Sequence, residues 1–271
     1  MRRSVYMISD GTAITVESLG SSLLTQFETF EFDTKVYPFI DSMDKAENLR
    51  ARIDLDFENS ATRPLVFMTL VDPNRADLIK SSNACVFDLF ETFLSQIEHE
   101  LGVNASDTVG KAHAVSSKEK YNLRIDAVNY ALAFDDGTKT NGYDKADIIL
   151  IGVSRCGKTP SCLYMALQFG VFAANYPFTE DNLTKYKLPE VLQPYKHKLF
   201  GLTIDPARLS SIRTERKPNT KYSSIAQCRR EVSDIELMYK NERIPYINST
   251  SFSIEEISTK IMNVVKLERK I

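Results

Sequence analysis

Apolar and polar positions alternate along the chain in the manner of an α/β protein. In the first part, short apolar runs that predict strands are separated by stretches with the 3.6-residue spacing of amphipathic helices. The predicted order is strand, helix, strand, helix, strand, over residues 5–9, 15–27, 34–39, 45–57 and 64–70. This alternation is typical of βαβ units and a parallel sheet. A further helix is predicted over residues 83–101, with Gly102 as its stop signal.

The second part opens with the clearest strand signal of the chain. Asp147 is followed by Ile148, Ile149, Leu150 and Ile151, an apolar run that predicts a strand buried on both faces. The same patterning predicts further strands over residues 171–176, 199–204 and 245–248, and helices over residues 161–169, 206–216, 225–240 and 254–267. Ser253 and Glu256 have the spacing of a capping box before the final helix.

Residues 152–159 have the G-x-x-x-x-G-K-[ST] pattern of a phosphate-binding loop. They read Gly152, Val153, Ser154, Arg155, Cys156, Gly157, Lys158 and Thr159. A predicted strand precedes them and a predicted helix follows, which is the context that such a loop requires. We therefore predict that all eight residues bind a nucleotide; a glycine-rich turn that binds nothing is the alternative.

The residue types in this loop suit phosphate chemistry. Glycines let successive N–H groups converge on phosphate oxygens, and the following helix directs its positive dipole end at the same point. We expect Lys158 to balance phosphate charge and Thr159 to ligate Mg²⁺. Arg155 could contact a transferring phosphoryl group, or be a solvent-facing charge. Cys156 could have a lowered pKa near a helix N-terminus, or be a small residue that fits.

The fold class predicted is α/β, an N-terminal α/β lobe with a parallel sheet followed by a P-loop kinase-like α/β lobe. Residues 103–122 are polar and irregular, residues 123–134 predict a helix, and Asp135, Asp136 and Gly137 predict a turn. We place the N-terminal lobe at residues 1–105, a connecting segment at 106–140 and the phosphotransfer lobe at 141–271.

Other residues have two interpretations each. Ser9, Asp10, Gly11 and Thr12 follow the first strand and precede a helix, where they could bind an anion or form a turn and N-cap. Asp205 follows a predicted strand, where it could be a magnesium-linked carboxylate or base, or the N-cap of a helix that begins with proline.

Basic side chains and one histidine also have a functional and a structural interpretation. Arg208, Arg213 and Arg216 could stabilise charge during transfer, or form a solvated helix face. His113, in a polar loop, could be a base or have a structural role.

Composition excludes several classes of protein. The chain has 271 residues, of which 43% are hydrophobic and 26% charged, which is ordinary globular usage. A formal net charge of −2 argues against nucleic-acid binding. No apolar run approaches membrane-spanning length and no signal-peptide core follows the first residues, so we expect a cytoplasmic protein. The four cysteines have no metal-binding spacing, so reduced thiols are expected.

Several segments resemble the bacterial phosphoenolpyruvate synthase regulatory proteins, which are related to the pyruvate, phosphate dikinase regulatory proteins. The matching segments are residues 8–13, 152–161, 174–178, 198–206, 222–232 and 244–250. The resemblance covers nearly the whole chain, which makes it far more specific than the loop alone.

The resemblance implies a bifunctional enzyme. Family members phosphorylate a threonine of the target synthase or dikinase with ADP as donor, and they remove the phosphate with orthophosphate, releasing pyrophosphate. The substrates implied are thus ADP and orthophosphate, with Mg²⁺ as cofactor and phosphoenolpyruvate synthase as partner. Dikinase-type members often lack a glycine at the position of Gly157, which favours the synthase branch.

We expect a homodimer, with the N-terminal lobe docking the target. Lys158, Arg155, Asp205 and His113 are the candidate catalytic residues. An ATP-dependent metabolite kinase and a non-catalytic nucleotide-sensing partner remain as alternatives.

Overall fold

The computed structural model describes residues 2–60, 62–106, 118–179 and 187–271. The chain forms two compact units, Met1–Ala114 and Val115–Ile271. Each unit contains a four-stranded sheet in which all paired strands run parallel. The predicted α/β class, with two parallel-sheet lobes, is therefore confirmed. No helix in the described part of the chain is long and apolar enough to cross a membrane.

The N-terminal unit has the strand order β2-β1-β3-β4. Its elements are β1 (Arg2–Ser9), α1 (Ile14–Leu24), β2 (Glu31–Tyr37), α2 (Met43–Ser60), β3 (Leu65–Thr69), α3 (Pro73–Lys80), β4 (Cys85–Asp88) and α4 (Leu89–Leu101). Alternate residues of β1 face opposite sides of the sheet. Val5 and Met7 pack in one apolar cluster with Val16 of α1, whereas Tyr6 and Ile8 pack in another with residues of α2.

Two features of this unit differ from the prediction. The helix predicted over residues 83–101 is wrong in its first part, because Cys85–Asp88 pairs with β3 as a strand. The helix begins only at Leu89, where Asp88 accepts a hydrogen bond of 3.1 Å from the amide of Glu91. Helix α3 was not predicted, although Asp72 and Pro73 form the N-cap and first position that are typical of a helix start. Gly102 ends α4 as predicted.

The second unit has the strand order β6-β5-β7-β8. Its elements are α5 (Lys118–Ala133), β5 (Ile148–Val153), α6 (Lys158–Phe169), β6 (Ala173–Phe178), β7 (Leu199–Thr203), α7 (Pro206–Arg216), α8 (Ile225–Glu242), β8 (Tyr246–Asn248) and α9 (Ile254–Val265). Every residue of β5 is buried, as the continuous apolar run predicts. The capping box of Ser253 and Glu256 is present at the start of α9.

A buried tyrosine holds the two central strands together beneath the predicted loop. The Tyr239 hydroxyl lies 2.9 Å from the carbonyl oxygen of Ile151 in β5 and 3.2 Å from that of Leu202 in β7. The side chain of Tyr239 is fully buried. The carboxyl end of β5 is thereby fixed against β7, and the loop that follows β5 starts from a rigid base.

Candidate active site

The loop of residues 152–159 joins β5 to α6 as the motif predicts. Gly157 is the N-cap of α6 and has a φ of 96°, and no side chain caps this helix. The main-chain amides of Arg155, Gly157 and Thr159 make no hydrogen bond to the part of the chain that the structure describes. Free amides and an uncapped helix N-terminus together form a site suited to phosphate oxygens.

The two motif glycines are required for different reasons. A Cβ atom on Gly152 would lie 2.7 Å from the carbonyl oxygen of Leu202 and 2.7 Å from the Cys156 sulfur, so a side chain does not fit. A Cβ on Gly157 would meet nothing within 4 Å, but the φ of this residue lies in the left-handed region. Gly152 therefore permits a close approach of β7, whereas Gly157 permits the turn into α6.

Lys158 lies within the loop rather than in solvent. The residue is only 4% exposed, and its Nζ donates a 3.0 Å hydrogen bond to the carbonyl oxygen of Val153. Its positive charge is thus held at the carboxyl end of β5, within the loop that carries the free amides. The position suits the predicted role of balancing phosphate charge, which stays a prediction.

Thr159 contacts a carboxylate that sequence reasoning did not select. Its Oγ1 donates a 2.8 Å hydrogen bond to Oδ1 of Asp135, which belongs to a short turn after α5. The buried amide Nδ2 of Asn175 in β6 donates to the same oxygen. The Asn175 Oδ1 accepts from the amide of Asp136 over 3.0 Å, so the turn is fixed against β6. The only sequence signal for Asp135 is its place in the predicted turn with Asp136 and Gly137.

The outer side of the loop is held by a buried arginine. Arg213 of α7 is 1% exposed, and its Nη2 donates to the carbonyl oxygen of Ser154 over 3.1 Å and to Glu231 over 2.7 Å. Burial alone would lower the pKa of Arg213, but the hydrogen bond and charge of Glu231 outweigh it and raise this pKa. Arg213 is therefore not part of a solvated helix face, whereas Arg208 and Arg216 are exposed. A role of these arginines in stabilising charge during transfer stays a prediction.

Cys156 points into the protein. It is 1% exposed, and burial raises the pKa of its thiol, although the charge of Lys158 opposes this. The Ser249 hydroxyl donates to the Cys156 carbonyl oxygen over 3.0 Å and so holds the loop from the side of β8. The interpretation as a small residue that fits is favoured over a reactive thiol.

Of the remaining candidates of the second unit, Arg155 belongs to the loop itself, whereas Asp205 makes no hydrogen bond to a loop residue in the described part of the chain. Arg155 is exposed and adopts a φ of 78°. Asp205 is exposed, and its Oδ1 accepts a 2.9 Å hydrogen bond from the amide of Arg208, which makes it the N-cap of α7. Catalytic roles for both residues stay predictions. His113 lies outside the described residues.

In the N-terminal unit, residues 9–12 border a cavity of about 600 Å³ at the carboxyl ends of β1 and β3. The Asp10 carboxylate accepts a 2.8 Å hydrogen bond from the amide of Val71, and the amide of Gly11 donates to the Ser9 hydroxyl over 3.1 Å. No side chain caps the helix α1 that follows. The predicted anion site of Ser9, Asp10, Gly11 and Thr12 thus lines part of a cavity, and its ligand stays a prediction.

The chain resembles known proteins over its whole length. A family model described as Kinase/pyrophosphorylase matches residues 5–262. A protein of Legionella pneumophila is 60% identical over 271 residues, which is the full length of both chains. Proteins of Hahella chejuensis and Pseudomonas fluorescens are 54% and 52% identical over 100% of this chain and 100% and 99% of their own lengths. All three relatives carry the name "Putative phosphoenolpyruvate synthase regulatory protein".

Proposed function

The chain belongs to the kinase/pyrophosphorylase family, and we propose that it regulates phosphoenolpyruvate synthase by transferring a phosphoryl group onto and off a threonine of that enzyme. Membership of the family supports a phosphotransferase role. The names of the full-length relatives support the synthase as the partner. The observation that carries the proposal is the loop at the start of α6, which combines free amides, an uncapped helix N-terminus and the buried Lys158 side chain.

In the inactivating direction, the target threonine hydroxyl attacks the β-phosphorus of ADP. A bond forms between the threonine oxygen and this phosphorus, and the bond between the phosphorus and the α,β-bridging oxygen breaks. AMP leaves with the electron pair, and the hydroxyl proton passes to solvent or to a base. The loop amides and Lys158 would stabilise the charge on the equatorial oxygens as it redistributes.

In the activating direction, an oxygen of orthophosphate attacks the phosphothreonine. The bond between phosphorus and the threonine oxygen breaks, pyrophosphate forms, and the threonine oxygen takes up a proton. The β-phosphate of ADP and orthophosphate are both tetrahedral, negatively charged phosphate groups. One pocket of amides can therefore hold the β-phosphate of ADP in one reaction and orthophosphate in the other.

The described residues also fit a magnesium ion. The Thr159 hydroxyl and the Asp135 carboxylate, 2.8 Å apart, are hard oxygen donors of the kind that Mg²⁺ prefers. When bound, the ion would neutralise charge on the transferring phosphate. Arg155, an exposed residue of the loop, is proposed to contact the same group. Asp205 and His113 are kept as candidates for activation of the threonine hydroxyl.

The N-terminal unit is proposed to dock the target, because the phosphate-binding loop lies in the other unit. We further propose that the protein acts as a homodimer. Pyruvate, phosphate dikinase is the second candidate target, and the glycine at position 157 together with the names of the relatives favours the synthase.

A transfer assay with labelled donors tests the proposal. The purified protein is incubated with phosphoenolpyruvate synthase that carries phosphohistidine, and with either β-labelled ADP or γ-labelled ATP. We expect label from ADP on a threonine of the synthase. Subsequent addition of orthophosphate should release that label as pyrophosphate. The same assay with the dikinase compares the two targets.

The other outcomes identify the alternatives. Label from ATP in a small acceptor, with none on the synthase, would indicate a metabolite kinase. ADP binding and synthase binding without transfer would indicate a nucleotide-sensing partner. Either result would overturn the regulatory-kinase proposal.

A further inference from the structure

Asp135 is the carboxylate that the structure places against the phosphate-binding loop. Its turn follows α5 and contacts the edge strand β6, which pairs with β5 on the side away from β7. Asp205, which the sequence leaves open as a magnesium-linked carboxylate, a base or an N-cap, follows β7 instead. The two candidates thus lie beyond opposite neighbours of β5, and only Asp135 makes a hydrogen bond to a loop residue.

The hydrogen bonds of Asp135 leave one oxygen available. Oδ1 accepts from both Thr159 and Asn175. No hydrogen bond reaches Oδ2 from any residue that the structure describes. The side chain is half-buried, so Oδ2 is fixed in orientation while still open to solvent or a ligand.

Asn175 makes this arrangement rigid. It is fully buried, and its side chain binds both the Asp135 carboxylate and the amide of Asp136. Its backbone carbonyl oxygen accepts a 3.0 Å hydrogen bond from the Tyr143 hydroxyl, and its backbone N–H donates to the Phe134 carbonyl oxygen. A carboxylate held by this many contacts needs little reorganisation to act on a neighbouring ion.

We propose that Asp135 fixes the magnesium ion of the bound nucleotide diphosphate, together with Thr159, and that Asp205 does not. This inference rests on the proposed function. Mg²⁺ in nucleotide sites is usually held by one or two carboxylates and the substrate phosphates rather than by a cage of protein ligands. Consistent with that chemistry, the described residues contain no group of three or more His, Cys, Asp or Glu side chains that could hold a metal.

Asp205 already has a structural use that explains its place in the sequence. Its carboxylate accepts from the Arg208 amide, and its own amide donates to the Thr250 hydroxyl over 2.7 Å. Asparagine caps helices about as well as aspartate. An Asp205→Asn variant should therefore keep the fold and remove only the charge, which makes it a matched comparison for Asp135→Asn.

The test measures ADP affinity by titration calorimetry on the full chain, once with excess Mg²⁺ and once with EDTA. The Asp135→Asn side chain keeps an oxygen that can accept from Thr159 and Asn175, so the turn should persist; circular dichroism checks the fold. Without Mg²⁺ we expect this variant to bind ADP at least as tightly as the wild type, because a negative charge near the phosphates is lost. Its gain in affinity on adding Mg²⁺ should be smaller by about 10–100-fold.

Two variants serve as comparisons, and their outcomes separate the possibilities. Asp205→Asn, and Asp126→Asn on the exposed face of α5, should keep the wild-type gain from Mg²⁺. If Asp135→Asn keeps the wild-type gain in ADP affinity on adding Mg²⁺, or if Asp205→Asn loses this gain instead, the inference is overturned. Either result would leave the proposed function intact. Absence of ADP binding to the wild type under both conditions would overturn the proposed function itself, and this inference with it.

Discussion

The guanidinium of Arg213 and the carboxylate of Glu231 lie 2.7 Å apart in the interior of the second unit, where Arg213 is 1% exposed. The same guanidinium donates to the carbonyl oxygens of Ser154 and Tyr222, each over 3.1 Å, and lies over the Tyr222 ring. One ion pair thus joins α7, α8 and the phosphate-binding loop. A buried pair of this kind is costly to break, because the remaining partner keeps its charge without compensation.

Replacing Arg213 by methionine should therefore destabilise the second unit strongly. We expect the free energy of unfolding in urea to fall by about 3–5 kcal/mol, because Glu231 and two carbonyl oxygens lose their partner. Adding Glu231→Leu should restore part of the loss, since two apolar residues leave no unpaired charge. Arg216→Met on the exposed surface of α7 is the control and should change stability by less than about 0.5 kcal/mol. If Arg213→Met and Arg216→Met lowered the free energy of unfolding equally, the structural role of Arg213 would be contradicted.

Gly157 and Gly102 offer a matched pair for separating strain from function. Both have a positive φ, 96° and 67°, and a Cβ atom on either would meet nothing within 4 Å. Alanine at each position should cost about 1–2 kcal/mol of unfolding free energy, because only the backbone conformation is penalised. Only Gly157→Ala should weaken ADP binding, measured by calorimetry, since it distorts the loop. Equal ADP affinity of the two variants would argue against the loop as the nucleotide site.

The Cys156 thiol should be unreactive in the native protein at pH 8. Its pKa is raised by burial, so at any pH below that value less of the nucleophilic thiolate is present than in a free cysteine. Cys85, which is half-buried, should react first with iodoacetamide. Peptide mass spectrometry of samples taken over time gives the order in which the cysteines are labelled. In denatured protein, Cys156 and Cys85 should be labelled at the same rate. Faster labelling of Cys156 in the native state would indicate a reactive loop thiol.

Hydrophobic patterning predicted most strands of both lobes, because fully buried parallel strands such as β5 leave a continuous apolar run. It failed at β4, a strand of only four residues that is followed at once by α4. Apolar residues on both sides of that junction gave one long helical signal. Residues 85–88 form a strand because they pair with β3, and this pairing joins segments that are distant in the sequence.

Only those residues of the candidate site that are adjacent in the sequence were predictable. The eight loop residues are adjacent in sequence, so their pattern identified them. Asp135 is 24 residues from Thr159 and Asn175 is 40 residues from Asp135, and these three side chains meet only through the packing of the turn against β6. Arg213 illustrates the same limit, since its sequence neighbours predict a basic surface and tertiary packing buries it.

Lys158→Ala tests whether one pocket serves both reactions. The Lys158 ammonium lies at the carboxyl end of β5, 3.0 Å from the Val153 carbonyl oxygen, and the Lys158 side chain is buried within the loop. Because both directions move the same charged group, we expect transfer from ADP and pyrophosphate formation to fall together by about 10²–10³-fold. Lys240→Ala, at the exposed end of α8, controls for loss of a positive charge and should leave both rates unchanged. Pyrophosphate formation that survives in Lys158→Ala would require a second phosphate site, and the cavity beside residues 9–12 would then be the first place to examine.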